Sequence, residues 1–194
     1  MLVAALGVLA VLSPLVALRW PAGLLLYRWK HPWVIWAALV LQAVVFQVEM
    51  PTALAATLHV ATYAAAVAFL VLNRRVAGAW IVGAGALTNG VTIALNGGVL
   101  PASAGAVAAA GIDIDSAFAN TAVLEHPVLP WLGDVFAWPA PLPLANTFSI
   151  GDVLIVAGVA VAAWTGTRRL GRSAARASAA EDARPPATGR SPRR

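Results

Sequence analysis

The sequence predicts an all-α protein, a polytopic membrane helix bundle. It is read as five transmembrane helices with a partly helical extracytoplasmic loop between spans four and five. Three observations carry this reading. Five apolar runs, at about residues 2–18, 33–50, 52–72, 79–95 and 148–167, approach the roughly 20 residues that cross about 30 Å of hydrocarbon. All thirteen Lys and Arg residues fall on one side of a single alternating topology. The tryptophans gather near the ends of the runs rather than in their middles.

Composition agrees. The chain is 60% hydrophobic and 11% charged, with a mean hydropathy of +0.80. Soluble domains carry about 25% charged residues. Arg19, Arg28 and Lys30 separate spans one and two, Arg74 and Arg75 separate three and four, and the rest run from Arg168 to Arg194. The opposite side holds Asp113, Asp115, Glu125 and Asp134, with Glu49 and Asp152 near its boundary. Basic loops are retained in the cytoplasm, so the reading is a multi-pass plasma-membrane protein with its N-terminus outside and its C-terminus cytoplasmic. The sequence pI near 11.1 follows from juxtamembrane basic residues, whose ordinary partners are anionic lipid headgroups. No nucleic-acid-binding motif accompanies them. Cysteine is absent, which excludes disulfides, thiolate metal sites and thiol catalysis.

Span one has no basic residue before Arg19 and so lacks the charged n-region of a signal peptide; it reads as a retained span, kinked at Pro14. Spans two and three meet across a tight outer turn at Pro51, and spans three and four across a tight inner turn at Asn73-Arg74-Arg75, so each pair is antiparallel. Span four is rich in small residues. Gly83, Ala86 and Gly90 form a face expected to pack against another helix of the same chain, homodimerisation being the alternative. Residues 96–147 form an outer cap. Within it, Ser103 followed by Ala104–Ala110 predicts a short helix. Residues 128–138 are expected as an amphipathic or re-entrant piece, and the proline-rich 139–143 as an extended return to span five. Trp20, Trp29, Trp33, Trp80 and Trp164 mark the inner interface, and Trp131 and Trp138 the outer one. Residues 1–170 thus form a membrane domain. Residues 171–194, rich in Arg, Ala, Ser and Pro, read as a disordered basic cytoplasmic tail able to contact anionic lipid.

Polar groups in lipid are costly and face a partner or a cavity. In span four, Thr88, Asn89, Thr92 and Asn96 form one polar stripe. In span three, His59 and Tyr63 share a face. Gln42, Gln47 and Glu49 lie towards the outer end of span two, and Ser149 and Asp152 open span five. All bias to the outer half, which makes an outward-opening polar pocket geometrically reasonable. Each also has a structural reading: the stripe as interhelical hydrogen bonding, His59 as a partner of Tyr63 or a carbonyl, and Ser149 with Asp152 as a helix cap. The candidate ligand-binding residues are Asn96, Asp134, Ser149, Asp152, His59 and Asn89. Glu125-His126 and the Asp113/Asp115 pair are weak motifs. No zinc spacing, phosphate loop or nucleophile elbow is present, so no catalytic residue, metal or cofactor is expected.

The order of Leu58-His59, Leu72-Asn73-Arg74, Asn96-Gly97-Gly98 with Pro101-Ala102-Ser103, Leu132-Gly133-Asp134 and Phe148-Ser149-Ile150-Gly151-Asp152 resembles an uncharacterised bacterial membrane family, DUF5317. The resemblance spans roughly residues 2–169. Leu100 stands where relatives are expected to carry Met. The resemblance implies a multi-pass membrane location and no established activity, so it transfers no catalytic residue. Asn96 is well placed to bond Asp134 or Asp152 and tie the cap over the bundle. Three functional classes follow. The first is a non-catalytic protein that binds a small ligand or an unidentified membrane partner at its outer cap. The second is a small-solute transporter or channel component using the span-four stripe and His59. The third is an outer-face enzyme using Asp134, Asp152 or His126 as acid or base.

Overall fold

The computed structural model describes residues 2–113 and 121–169. The expected tail and Asp115 lie outside the described residues. Seven α-helices are found among the described residues: α1 (Leu2–Leu12), α2 (Ala22–Leu25), α3 (Pro32–Gln47), α4 (Thr52–Leu72), α5 (Ala79–Leu95), α6 (Ala104–Ala110) and α7 (Ile150–Trp164). Six short strands accompany them: β1 (Arg19–Trp20), β2 (Leu100–Pro101), β3 (Thr121–Ala122), β4 (Asp134–Trp138), β5 (Asn146–Ser149) and β6 (Arg168–Arg169). The protein is mostly helical. α4 alone, among the described helices, is long and apolar enough to cross a membrane by length and composition. Four shorter apolar helices flank it, at Leu2–Ala17, Pro32–Gln47, Ala79–Leu95 and Ile150–Trp164.

The five long helices pack in series: α3 on α4, α4 on α5, α5 on α7 and α7 on α1. α3 and α1 are therefore the free ends of the series. The α5–α7 contact is the closest in kind. A side chain at Gly85 would strike the backbone at Gly151, and one at Gly151 would strike the Asn89 amide and the Gly85 backbone. Gly90 faces the Tyr63 ring of α4. The small residues of span four thus serve packing within the chain, with Gly85 as the α7 contact.

Burial is inverted relative to an oil-drop core. Small and polar side chains fill the interior of the bundle: Ala55, His59 and Thr62 of α4, Ala86, Asn89 and Thr92 of α5, and Ala162 and Ala163 of α7. Many large apolar side chains point away from it, as Leu9, Val16, Trp33, Trp36, Val40, Trp80 and Leu87 do, with Val45, Phe69 and Ile93 as buried exceptions.

At one end of the bundle the chain is stitched shut. β1 pairs antiparallel with β6, joining Arg19 to Arg169 and Trp20 to Arg168. The Trp164 indole donates to Ser13 Oγ at 2.9 Å. Asn73 is fully buried. Its Oδ1 accepts from the Lys30 amide at 2.9 Å, and its Nδ2 donates to the Lys30 and Phe69 carbonyls. Trp29 stacks on Phe69 with ring centroids 5.6 Å apart. Pro14 acts as expected of a residue without a backbone donor: α1 tightens into a 3-10 turn over Ser13–Ala17.

A folded cap covers the other end. α5 stops at the Asn-Gly-Gly motif, where Gly97 and Gly98 take φ of 69° and 96° and the Gly98 amide donates back to the Ile93 carbonyl at 2.9 Å. This is the left-handed closure for which glycine is suited. The chain then forms β2, parallel to β3, and α6, capped by Ser103 Oγ accepting from the Ala106 amide. Residues 128–138, expected as an amphipathic or re-entrant piece, take the form of a 3-10 turn over Pro130–Leu132 followed by β4. One expectation fails here: residues 139–143 are not extended but turn, with Leu142 donating to the Pro139 carbonyl. The turn lets β5 return antiparallel to β4, pairing Phe136 with Phe148 and Trp138 with Asn146. β5 then runs straight into α7. The residues expected to begin span five at 148 therefore lie in a strand, and α7 begins at Ile150.

Candidate functional site

Ser149 is the last residue of β5 and the N-cap of α7. Its Oγ accepts from the Asp152 amide at 3.0 Å, and Asp152 Oδ2 accepts from the Ser149 amide at 3.0 Å, so the two form a reciprocal capping box. Asn89 of α5 closes the arrangement. Its Oδ1 accepts from Ser149 Oγ at 2.9 Å, and its Nδ2 donates to Asp152 Oδ1 at 2.9 Å. Both oxygens of Asp152 are thereby occupied. The carboxylate also sits at the positive end of the α7 dipole. Asn89 and Ser149 are buried at 1% and 0% exposure, which makes this triangle a clasp between α5 and the start of α7.

Asp134 stands across the β4–β5 ladder from Ser149. Its Oδ2 accepts from Thr121 Oγ1 at 2.8 Å and from Thr147 Oγ1 at 3.3 Å. Its Oδ1 is buried and has no hydrogen-bond partner among the described residues. The residue is only 4% exposed. Burial pushes its carboxyl up to about 6, and the nearby Asp152 charge adds to the rise, while the Thr121 and Thr147 hydroxyls oppose it.

Asp134, Asp152 and Asn89 form part of the wall of a cavity of about 680 Å³. The cap contributes Thr121, Asn146 and Thr147, and the helices contribute Tyr63, Gln42 and, from α1, Val3 and Ala4. The lining includes Asp113 and, among the described residues, contains no Lys, Arg or His. Its volume falls within the range of small-molecule pockets.

The other candidates are placed elsewhere. Asn96 does tie the cap to the bundle, but through backbone and not through a carboxylate. Its side chain accepts from the Val128 amide at 2.8 Å and donates to the Val128 and Thr92 carbonyls. His59 is fully buried, with Nδ1 donating to the Gly98 carbonyl at 2.7 Å and its ring edge-on to Phe46 and Tyr63. It locks the glycine turn onto α4 and is not in the cavity wall. Thr88 and Thr92 bond carbonyls of their own helix. Of the span-four stripe, Asn89 and Asn96 alone reach other elements. His126 is exposed and outside the cavity wall, so it forms no acid–base centre with Asp134 and Asp152. No cluster of three or more His, Cys, Asp or Glu able to hold a metal occurs among the described residues. Sequence reasoning missed Thr121 and Thr147, which hold Asp134. Each stands in an Asn-Thr pair 13 residues from Asp134 in sequence, a separation with no local signal of their meeting.

The model of the DUF5317 family, a family of unknown function, matches residues 27–164. The chain belongs to this family. The matched span takes in the Asn89–Ser149–Asp152 clasp and Asp134, and leaves out α1. An uncharacterised protein of Thermotoga maritima is 33% identical over 93 residues, which cover 47% of this chain and 53% of that protein. The chain thus matches about half the length of that relative. No solved structure matches.

Proposed function

We propose that the protein is a five-span membrane protein whose extracytoplasmic cap closes over a binding cavity for a small ligand, with no catalytic step of its own. The observation that carries this reading is the cavity beneath the cap, with Asp134 in its wall and the Oδ1 of that residue buried with no hydrogen-bond partner among the described residues. A buried oxygen without a partner is costly, and a ligand donor relieves that cost. The cap is joined to the bundle by Asn96, the β4–β5 ladder and the clasp, so the cavity wall is held before any ligand arrives.

The membrane assignment is supported by the inverted burial. Large apolar groups cover the outside of the five apolar helices, while small and polar groups pack inside, as expected where lipid is the solvent. The basic β1–β6 end fits the cytoplasmic side and the Lys- and Arg-free cap the outer side. The stitched β1–β6 end favours binding over conduction, because Asn73, the Trp29–Phe69 stack and the ribbon close that end. An acid–base enzyme is disfavoured because Asp152 is fully engaged and His126 lies apart.

The natural absence of cysteine makes the test direct. A single cysteine at the exposed Ser103 is expected to react with a membrane-impermeant maleimide in intact cells. One at the exposed Arg75 is expected to react only after permeabilisation. A cysteine at Asn146, in the cavity wall, is expected to react with a small thiosulfonate reagent. The reverse labelling of Ser103→Cys and Arg75→Cys would overturn the orientation, and an inert Asn146→Cys would overturn the cavity.

A further inference from the structure

Two cavities adjoin. The polar chamber under the cap shares Leu39, Gln42, Tyr63 and Ile155 with an apolar groove of about 370 Å³. The groove runs along α3, α4, α5 and α7, from Gln42 and Tyr63 down past Ala66 to Phe69. The chamber lies between the two free ends of the helix series: Val3, Ala4 and Gly7 of α1 on one side, Leu39 and Gln42 of α3 on the other. Leu39 is 50% exposed, so this side of the bundle opens towards its apolar surroundings.

We infer that the adjoining cavities hold a single-chain amphiphile with an ammonium head, the head against the Asp134 carboxylate in the chamber and the alkyl chain in the groove. The inference rests on the capped-cavity reading and names its ligand class. The two spaces meet at four shared residues, one lined by carboxylates and the other almost wholly apolar, so an occupant with one polar and one apolar end fits the pair. The sign of the head follows from the wall. Asp134 and Asp152 line the chamber, and among the described residues no cationic side chain does. A phosphate or carboxylate head would be repelled. Acidity alone does not make a site, but Asp134 adds an independent mark: it is 4% exposed, its Oδ2 is satisfied by two hydroxyls, and its Oδ1 lacks a donor among the described residues. An ammonium group supplies that donor together with the opposite charge. Entry between α1 and α3 needs no passage through the cap.

The test uses the full chain in nanodiscs of zwitterionic lipid, titrated at pH 8 with hexylammonium, hexanol and hexanoate, and with methylammonium as the head alone. Hexylammonium is expected to bind tightest, with affinity falling roughly threefold to fourfold for each methylene removed. Asp134→Asn is expected to weaken hexylammonium by at least about tenfold and to leave hexanol within about twofold. Leu39→Trp, which fills the groove where it meets the chamber, is expected to abolish the chain-length dependence while methylammonium binding persists. Hexanol or hexanoate binding as tightly as hexylammonium would overturn the ammonium assignment. So would an Asp134→Asn protein with unchanged preference. If hexanol binds and is lost in Leu39→Trp, the capped-cavity reading survives that outcome. If no probe binds, the amphiphile inference fails, and the reactivity of Asn146→Cys then decides whether a cavity is open at all.

Discussion

Asp134 holds Oδ2 between two threonine hydroxyls and leaves Oδ1 bare, so its proton has one natural seat. Its carboxyl is raised from 3.8 to about 6, first by burial and then by Asp152. A raised carboxyl pKa means that the folded state holds the proton more tightly than the unfolded chain. The resulting stabilisation is full below about pH 4 and is lost as pH rises through about 6. A shift of roughly two units corresponds to about 3 kcal/mol. Asp134→Asn keeps an oxygen for the threonines and places a neutral NH2 where the proton sat. It is expected to match the wild type at pH 4 and to exceed it at pH 8 by up to about 3 kcal/mol in denaturant titrations of the solubilised protein. A wild type whose stability is flat from pH 4 to pH 8 would refute this. The same proton competes with a cationic ligand. Hexylammonium binding is therefore expected to weaken roughly tenfold between pH 8 and pH 5. Asp152, Asp113 and Tyr63 also line that space, and the Asp134→Asn protein separates their contribution from that of Asp134. None of this was legible in the sequence beyond the presence of Asp134 near a glycine. Thr121 lies 13 residues away, and its partnership depends on chain folding in between.

The elements repeat that lesson with clearer causes. α4, α5 and α6 stand at the boundaries the sequence predicts, because each is bracketed by strong local signals: Pro51 before α4, Asn-Gly-Gly after α5, Ser103 before α6. The β4–β5 hairpin was missed. β4 is five residues long and follows a Pro-Trp-Leu-Gly turn, and β5 was absorbed into the apolar run of α7. Short strands next to long apolar runs lose their period-2 signal. The clasp shows the opposite balance. Ser149 and Asp152 were legible as a helix cap from their spacing alone, whereas Asn89 joins them from 63 residues away in sequence. Its loss should be costly. Asn89→Ala leaves the buried Ser149 hydroxyl without its acceptor and removes a donor from a carboxylate, so a loss of about 2–4 kcal/mol is expected in the same denaturant assay. Ser149→Ala removes the cap oxygen and one clasp bond, for about 1–2 kcal/mol. Gly151→Ala should exceed both, because its methyl group meets the Asn89 amide and the Gly85 backbone and must force α5 from α7. Equal stability of Gly151→Ala and wild type would mean that the two helices are not held in this contact.

For the whole molecule, the proposed membrane reading makes the inverted burial and the segregated charge two independent consequences of one solvent. On that proposal, charge segregation reports which loops stay in the cytoplasm and burial reports which side chains meet lipid. The tryptophans let the two be compared in a single measurement. Trp33, Trp36, Trp80 and Trp164 are exposed at 64%, 67%, 64% and 45%, although indole is highly buried on average in soluble proteins. In a bilayer such rings sit at the headgroup level, with Trp36 one turn deeper than Trp33 along α3. Variants retaining one of these tryptophans, reconstituted with lipids brominated at successive chain depths, should therefore separate. Trp33, Trp80 and Trp164 should quench most with bromines near the headgroups. Trp36 should quench most with bromines about 5 Å deeper, the rise of one helical turn. The Trp164 ring, held by Ser13 across to α1, should also show the narrowest depth profile of the four. Quenching of all four by an aqueous quencher such as iodide, and by none of the brominated lipids, would place these surfaces in water and remove the membrane assignment. The depth order of Trp33 and Trp36 carries more than that assignment. If Trp36 is the deeper ring, α3 enters the bilayer from its N-terminal end, which puts Lys30 and the Asn73 clamp on the near side and the Gln42 wall of the cavity further along the same helix. The ligand's polar head would then reside towards the far face, beneath the cap, with its chain pointing back towards Phe69.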